Sequence, residues 1–307
     1  MRVFVTGSKG FVGGWLTKEA VAAGHQALDA PSIDVTDRGV VARTLADVRP
    51  DAIVHLAAVA FAPDAAADQQ TAFAVAIGGT VNVFEAACSL DRPPIVLVSG
   101  SSEVYGVPDT RDLPLTESSP LAPATPYALS KAAQESVALA YAARFGLKVV
   151  VTRSFSHTGP GQRDSFVVPA LAHRVRAVAE GQAQAITVGN LDVKRDMTDV
   201  RDVVKAYRLL LESAARGEVG AGGTVVNVCS GRAVSIRSIV TDLCHLAHIE
   251  PSLSVDPSLV RNGDAQEIRG DPSAIEQLVG WRATTPWTQT LADVWAATTL
   301  PVGAAAT

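Results

Sequence analysis

The sequence predicts an α/β protein: a doubly wound parallel sheet with a smaller α/β substrate-binding domain folded onto it. Three observations carry this prediction. A short β-branched run at residues 2–6 ends in a glycine-rich turn that opens a helix; strand-like and helix-like segments then alternate to about residue 155; beyond 156 the alternation loses its regularity. Alternation of this kind implies parallel strands joined by crossover helices, with ligands at the carboxyl ends of the strands.

Composition sets the outer bounds. The 307 residues are 48% hydrophobic and 19% charged, a globular composition with a large ordered core. A formal charge of -5 argues against nucleic acid or an anionic membrane as the main partner and favours small molecules. Cys88, Cys229 and Cys244 are odd in number and far apart, without a CxxC pair. They are expected as free core thiols in a reducing compartment. His157, His173, His245 and His248 form no metal-ligand spacing, so no metal is expected. The N-terminus shows no leader pattern, and apolar runs such as 52–62 fall short of the roughly 20 residues of a membrane span. A cytoplasmic protein is expected.

Taken in order, residues 2–6 lead into Gly7-Ser-Lys-Gly-Phe-Val-Gly13 and a helix through Trp15, Leu16 and Ala20. A strand, a tight turn and a helix start bring backbone N–H groups and a helix dipole to a pyrophosphate, so Gly7, Lys9, Gly10, Phe11, Val12 and Gly13 are candidate dinucleotide contacts. A second strand at 26–28 delivers Asp29, a candidate partner for ribose hydroxyls, which favours NAD. Asp29 could equally cap a turn before Pro31, and Lys9 could meet the 2′-phosphate of NADP. Ile33, Asp34 and Val35 read as the end of a third strand, with Asp34 beside the adenine. A helix at 38–48 and a continuous apolar strand at 52–56 follow, then a helix at 80–89 and a strand at 95–98. Leu56, Ala57, Ala58 and Ser99 thereby fall at strand ends facing the nucleotide.

The next stretches carry chemistry. Ser101, Ser102 and Glu103 follow the strand at 95–98, and Tyr127 and Lys131 stand four apart at the start of a helix ending near Gly146. Residues four apart share a helix face, so the ammonium can act on the phenol and lower its pKa. A strand at 148–152 completes this half. Further on, helices are expected at 166–180, 199–212 and 235–245, with a returning strand at 224–228. The nucleotide-binding domain is therefore expected at 1–155, completed by about 199–228, with 156–198 and 229–307 mainly on the substrate side.

In its motifs the chain resembles the extended short-chain dehydrogenase/reductases that modify sugar nucleotides. The carriers are Thr6-Gly-Ser-Lys-Gly-Phe-Val-Gly13, His55-Leu-Ala-Ala58, Ser101-Ser-Glu-Val-Tyr-Gly106, Tyr127-Ala-Leu-Ser-Lys131 and Arg153-Ser-Phe-Ser-His-Thr-Gly-Pro-Gly-Gln162. The stretches 188–202 and 226–231 are similar to the GDP-4-keto-6-deoxy-D-mannose reductase branch. This resemblance implies a Rossmann sheet, an NAD or NADP cofactor and a homodimer. It implies that Tyr127 is the acid/base, that Lys131 holds the nicotinamide ribose and lowers the Tyr127 pKa, and that Ser101 hydrogen-bonds the reacting oxygen. Ser102, Ser156, His157, Val167, Arg195 and Arg261 are implied on the substrate side, the two arginines at the diphosphate.

The implied reaction is reduction of the C4 keto group of a nucleotide-diphosphate 4-keto-6-deoxyhexose. Alternatives are a GDP-mannose 4,6-dehydratase using Glu103 as base, an epimerase, or a dinucleotide-binding protein without turnover. Two positions depart from the family pattern: Ala76 stands where an asparagine is usual, and Ser156 likewise. The short connection at 28–37 is more similar to dTDP-4-dehydrorhamnose reductases.

Overall fold

Strands and helices alternate along the first half. In chain order these are β1 (Arg2–Thr6), α1 (Phe11–Ala22), β2 (Gln26–Ala27), α2 (Arg38–Val48), β3 (Ala52–His55), α3 (Ala62–Ala67), α4 (Gln69–Phe73), α5 (Gly79–Cys88), β4 (Ile95–Ser99), α6 (Pro126–Phe145) and β5 (Val149–Ser154). This computed structural model describes residues 1–28, 32–220, 222–250, 252–260 and 263–298. The second half adds β6 (Ser156–Thr158), α7 (Val167–Ala179), β7 (Ile186–Val188), β8 (Lys194–Asp199), α8 (Val200–Arg216), β9 (Thr224–Val228), β10 (Ala233–Ser235), α9 (Ile236–Ala247), β11 (Leu253–Val255), β12 (Glu267–Ile268), α10 (Ser273–Val279) and α11 (Trp287–Ala297).

The main sheet has the order β2-β1-β3-β4-β5-β9 and every pairing in it is parallel. Residues of β3 and β5 are buried throughout, as a parallel strand covered on both faces requires. One face packs on α1 and α8, with Leu16, Tyr207 and Leu210 in its core. The other packs on α2, α5 and α6 through Val41, Phe84 and Ala138. The order reverses between β1 and β3, which opens the crevice where ligands of such sheets bind.

Two expectations for this half are corrected. Residues 33–35 are not a strand: the Asp34 carboxylate accepts from the Thr36 N–H and hydroxyl, and the side chain of Asn82 on α5 donates to the Val35 and Thr36 carbonyls. Side chains thus take the partners a ladder would need, and the chain turns into α2. The helix expected from residue 80 starts earlier, at Gln69, and runs to Cys88 through a π turn at Ala74–Gly78. By length and composition this stretch is apolar enough to cross a membrane, yet it is the helix that buries Val83 and Phe84 against the sheet.

The second half is organised around β8. It pairs antiparallel with β10 and parallel with β12 and β6, and α7, α9 and α11 close over an apolar cluster beside it. The buried Asp196 carboxylate ties this sheet together, accepting from the Ser230 N–H and hydroxyl, the Gly231 N–H and the Gly270 N–H. Burial still leaves its pKa above the ordinary value. Cys229 and Cys244 are buried and Cys88 is half-buried, all as free thiols.

Candidate active site

The glycine turn has the geometry its sequence predicts. Gly7 adopts φ +74°, and a Cβ at Gly13 would lie 2.3 Å from the Gly7 carbonyl oxygen, so only glycine lets the turn close against α1. Gly10 caps α1 with no side-chain hydrogen bond, which leaves the helix N-terminus for an anion. A dinucleotide diphosphate fits this cradle. Lys9 is exposed in the turn, and Phe11 stacks on His157, with ring centroids 6.5 Å apart, bringing β6 beside it. At the end of β3, the Leu56 and Ala57 N–H groups donate to the Thr6 hydroxyl oxygen at 3.1 and 3.2 Å. Asp29 and Arg261 lie outside the described residues, as does the tail at 299–307.

Ser101, Glu103 and Tyr127 meet just beyond the carboxyl end of β4. Ser101 caps a 3₁₀ turn, Ser102–Tyr105, its oxygen accepting from the Glu103 N–H at 3.2 Å. Thr125 caps α6 by accepting from the Ala128 N–H, Pro126 fills the first turn, and Gly146 ends the helix at φ 67°. These signals place Tyr127 in the first turn and Lys131 one turn later.

A continuous buried hydrogen-bond chain runs from Lys131 to the glycine turn. The Lys131 ammonium donates to the Ser99 carbonyl at 2.7 Å and to Gln134 Oε1 at 3.0 Å. Gln134 Nε2 donates to Thr80 Oγ1, whose own hydrogen goes to the Ala76 carbonyl at 2.6 Å. Thr80 Oγ1 therefore accepts from His55 Nε2 at 3.0 Å, and His55 Nδ1 accepts from the Thr6 hydroxyl at 2.8 Å. This assigns His55 as the neutral Nε2–H tautomer. Burial first and the Lys131 charge second push its pKa down to about 3, in agreement.

The electrostatics correct one expectation. The Tyr127 pKa is raised here and not lowered as expected: burial lifts it above its ordinary value, the Glu103 carboxylate adds to the rise, and a hydrogen bond with Ser101 partly offsets both. Tyr127 is accordingly a protonated phenol at neutral pH. Burial also brings Lys131 down to about 8.

Beside this group lies a pocket of about 180 Å³ lined by Ser102, Glu103, Thr125, Ser156, Arg195 and Asp264, among others. It joins side chains from both halves of the chain. The Arg195 guanidinium is anchored by an ion pair with Asp264 and by the Ala265 carbonyl. His157 holds the Phe155 carbonyl through Nδ1, burial lowering its pKa, and Val167 stands exposed at the start of α7.

The sequence profile of the GDP-mannose 4,6 dehydratase family matches residues 22–294. The chain belongs to this family. Among its relatives, the GDP-6-deoxy-D-mannose reductase of Pseudomonas aeruginosa is 35% identical over 92% of this chain and 91% of its own. The GDP-6-deoxy-D-talose 4-dehydrogenase of Aggregatibacter actinomycetemcomitans is 29% identical over 91% of this chain and 92% of its own. The solved structure of RMD from Pseudomonas aeruginosa complexed with NADPH superposes with a TM-score of 0.89 at 32% identity, covering 96% of this chain and 98% of that one. The sheet and its helices are thus those of an extended short-chain dehydrogenase/reductase of the GDP-mannose 4,6-dehydratase family.

Several residues of this family member escape a motif search. Gln134 lies three residues after Lys131 on the inward face of α6 and supplies a support that Ala76 cannot. The buried Arg153–Glu135 pair holds the 3₁₀ turn in place: Arg153 Nη1 donates to the Tyr105 hydroxyl, which donates to Asn227 Oδ1. Tyr207 on α8 shares hydrogen bonds with Ser99 and Ser154. The available signal was polar side chains on helix stripes that are otherwise apolar.

Proposed function

We propose that this protein reduces the C4 keto group of a nucleotide-diphosphate 4-keto-6-deoxyhexose, GDP-4-keto-6-deoxy-D-mannose first among them, with NADH or NADPH. The observation that carries this reading is the grouping of a protonated Tyr127 with Ser101 and Glu103, one helical turn from Lys131, at the strand end beside the glycine turn. The names of the two relatives, a GDP-6-deoxy-D-mannose reductase and a GDP-6-deoxy-D-talose 4-dehydrogenase, support it.

In this reading the glycine turn and the open N-terminus of α1 hold the diphosphate of the dinucleotide, with Val35, Ala57 and Ser99 around its adenosine and nicotinamide ends. When bound, the reduced nicotinamide supplies the hydride. Negative charge then grows on the C4 oxygen, and Tyr127 and Ser101 are the donors aimed at it. Tyr127 releases its proton to that oxygen, and the positive Lys131 stabilises the phenolate left behind. Arg195 faces the nucleotide diphosphate, for which a planar multi-donor cation is suited. Residues 156–198 and 229–307 act mainly on the sugar nucleotide, and the working form is a cytoplasmic homodimer.

Glu103 favours one second reading. It lines the pocket and its charge is felt by Tyr127, as a base for C5 proton removal in a dehydratase would be. One assay separates the two. GDP-4-keto-6-deoxy-D-mannose with NADPH or NADH should consume one equivalent of cofactor and give a GDP-6-deoxyhexose, its C4 configuration read by NMR. Keto-sugar formation from GDP-mannose, without net cofactor use, would assign the dehydratase instead.

A further inference from the structure

A second cavity, of about 490 Å³, lies between β8, β10 and the N-terminus of α11, and shares no lining residue with the pocket at Arg195. Its volume is in the range of small-molecule sites, roughly 300–1,000 Å³. Two of its polar side chains have no hydrogen-bond partner: Thr198 Oγ1, on a residue only 2% exposed, and Trp287 Nε1. Buried polar groups are nearly always satisfied, so each marks a place where something else supplies the partner.

The chemistry of the lining narrows what that is. Trp287 Nε1 is a donor only, and Thr198 can donate. Arg232, exposed on the cavity wall, has no side-chain hydrogen bond or ion pair among the described residues. Pro286 caps α11 without a side-chain hydrogen bond, so the positive end of an 11-residue helix faces the same space. Asp199 is the one acidic residue on the lining, and its carboxylate is committed to Arg201 and Thr290. Donors and positive charge are therefore in excess. Met197, Val234, Ala283 and the Trp287 ring supply an apolar wall.

We propose that this cavity is a second ligand site, taking a small anionic metabolite whose phosphate or carboxylate meets Arg232, Thr198 and Trp287 and whose planar or branched body lies on Met197 and Val234. It is independent of the C4 reduction.

Isothermal titration calorimetry of the intact protein with phenyl phosphate, and separately with benzoate, tests it. The expected result is one-to-one binding of at least one probe, undiminished by saturating GDP, and weakened about tenfold or more in Arg232→Ala, as loss of a charge-assisted contact implies. Arg232 is exposed, so this variant should keep its melting temperature; Thr198→Val should weaken the probe several-fold. Absence of binding by both probes up to about 10 mM would overturn the proposal. Displacement by GDP would place the probe in the active site, and unchanged affinity in Arg232→Ala would mark it as adventitious; both outcomes sink it equally.

Discussion

The two walls of the candidate site are built in different ways. The Tyr127 wall comes from consecutive elements, β4, the 3₁₀ turn and α6, each bounded by its own cap and each held on a parallel sheet. The Arg195 wall comes from β8, whose three neighbours start at Ser156, Ala233 and Glu267 and whose arginine leans on Asp264. One wall is preorganised by local signals and a saturated buried network, the other by long-range register. The difference implies a division of labour: chemistry on the rigid wall, recognition on the assembled one.

Replacing Tyr127 should give the largest effect and so tests the rigid wall first. Tyr127→Phe removes the proton donor and leaves the ring packing. kcat should fall roughly 10²–10⁴-fold, the usual contribution of a positioned acid, while dinucleotide affinity and melting temperature stay near those of the parent. Turnover within about tenfold of the parent would remove Tyr127 from its assigned role.

The assembled wall should respond in KM. Arg195→Ala deletes a charged donor worth about 1.5–3 kcal/mol in a well-made contact, so KM for the nucleotide sugar should rise at least tenfold with kcat within about threefold of the parent. A fall in kcat equal to the rise in KM would erase the proposed division, because both walls would then act on the transition state.

The same contrast explains what could be seen in the sequence. Strands β1, β3, β4 and β9 and helices α2 and α6 were legible because β-branched runs, caps and a C-terminal glycine are local signals. Tyr127, Lys131 and Ser101 were legible as a motif in chain order. The Ile33–Val35 segment departs from its strand-like sequence because its fate is decided by Asn82, far away on α5. Gln134 is silent in the sequence because its value depends on Lys131, Thr80 and His55 arriving around it, and periodicity cannot report that. Above all, the direction of the Tyr127 pKa is not legible in the sequence: Tyr–Lys spacing shows the cation nearby, but only the fold shows that its ammonium is turned to Ser99 and Gln134 and that burial wins.

That burial makes the smallest and sharpest test a pH profile. Burial holds Lys131 at about 8, against an ordinary value of 10.5. If its charge stabilises the phenolate left by Tyr127, activity must fall as pH rises through about 8, to half at the midpoint and about tenfold per unit beyond it. Stability has the opposite sign. Between about 8 and 10.5 the unfolded chain holds a proton on this lysine that the folded chain has released, so the Lys131 contribution to stability increases with pH across that window and is smallest below it. Tyr127, raised above its ordinary value, stays protonated throughout and adds no limb there. Neutral His55 adds none either, having its pKa at about 3. Gln134→Leu removes one of the two acceptors of the ammonium and should move the activity limb about one unit lower, since a hydrogen bond to a charge is worth about 1.5 kcal/mol and a pKa unit 1.36. Gln134→Glu should move it higher. A limb that stays at the same pH in both variants would show that the buried network packs the helix without tuning the lysine.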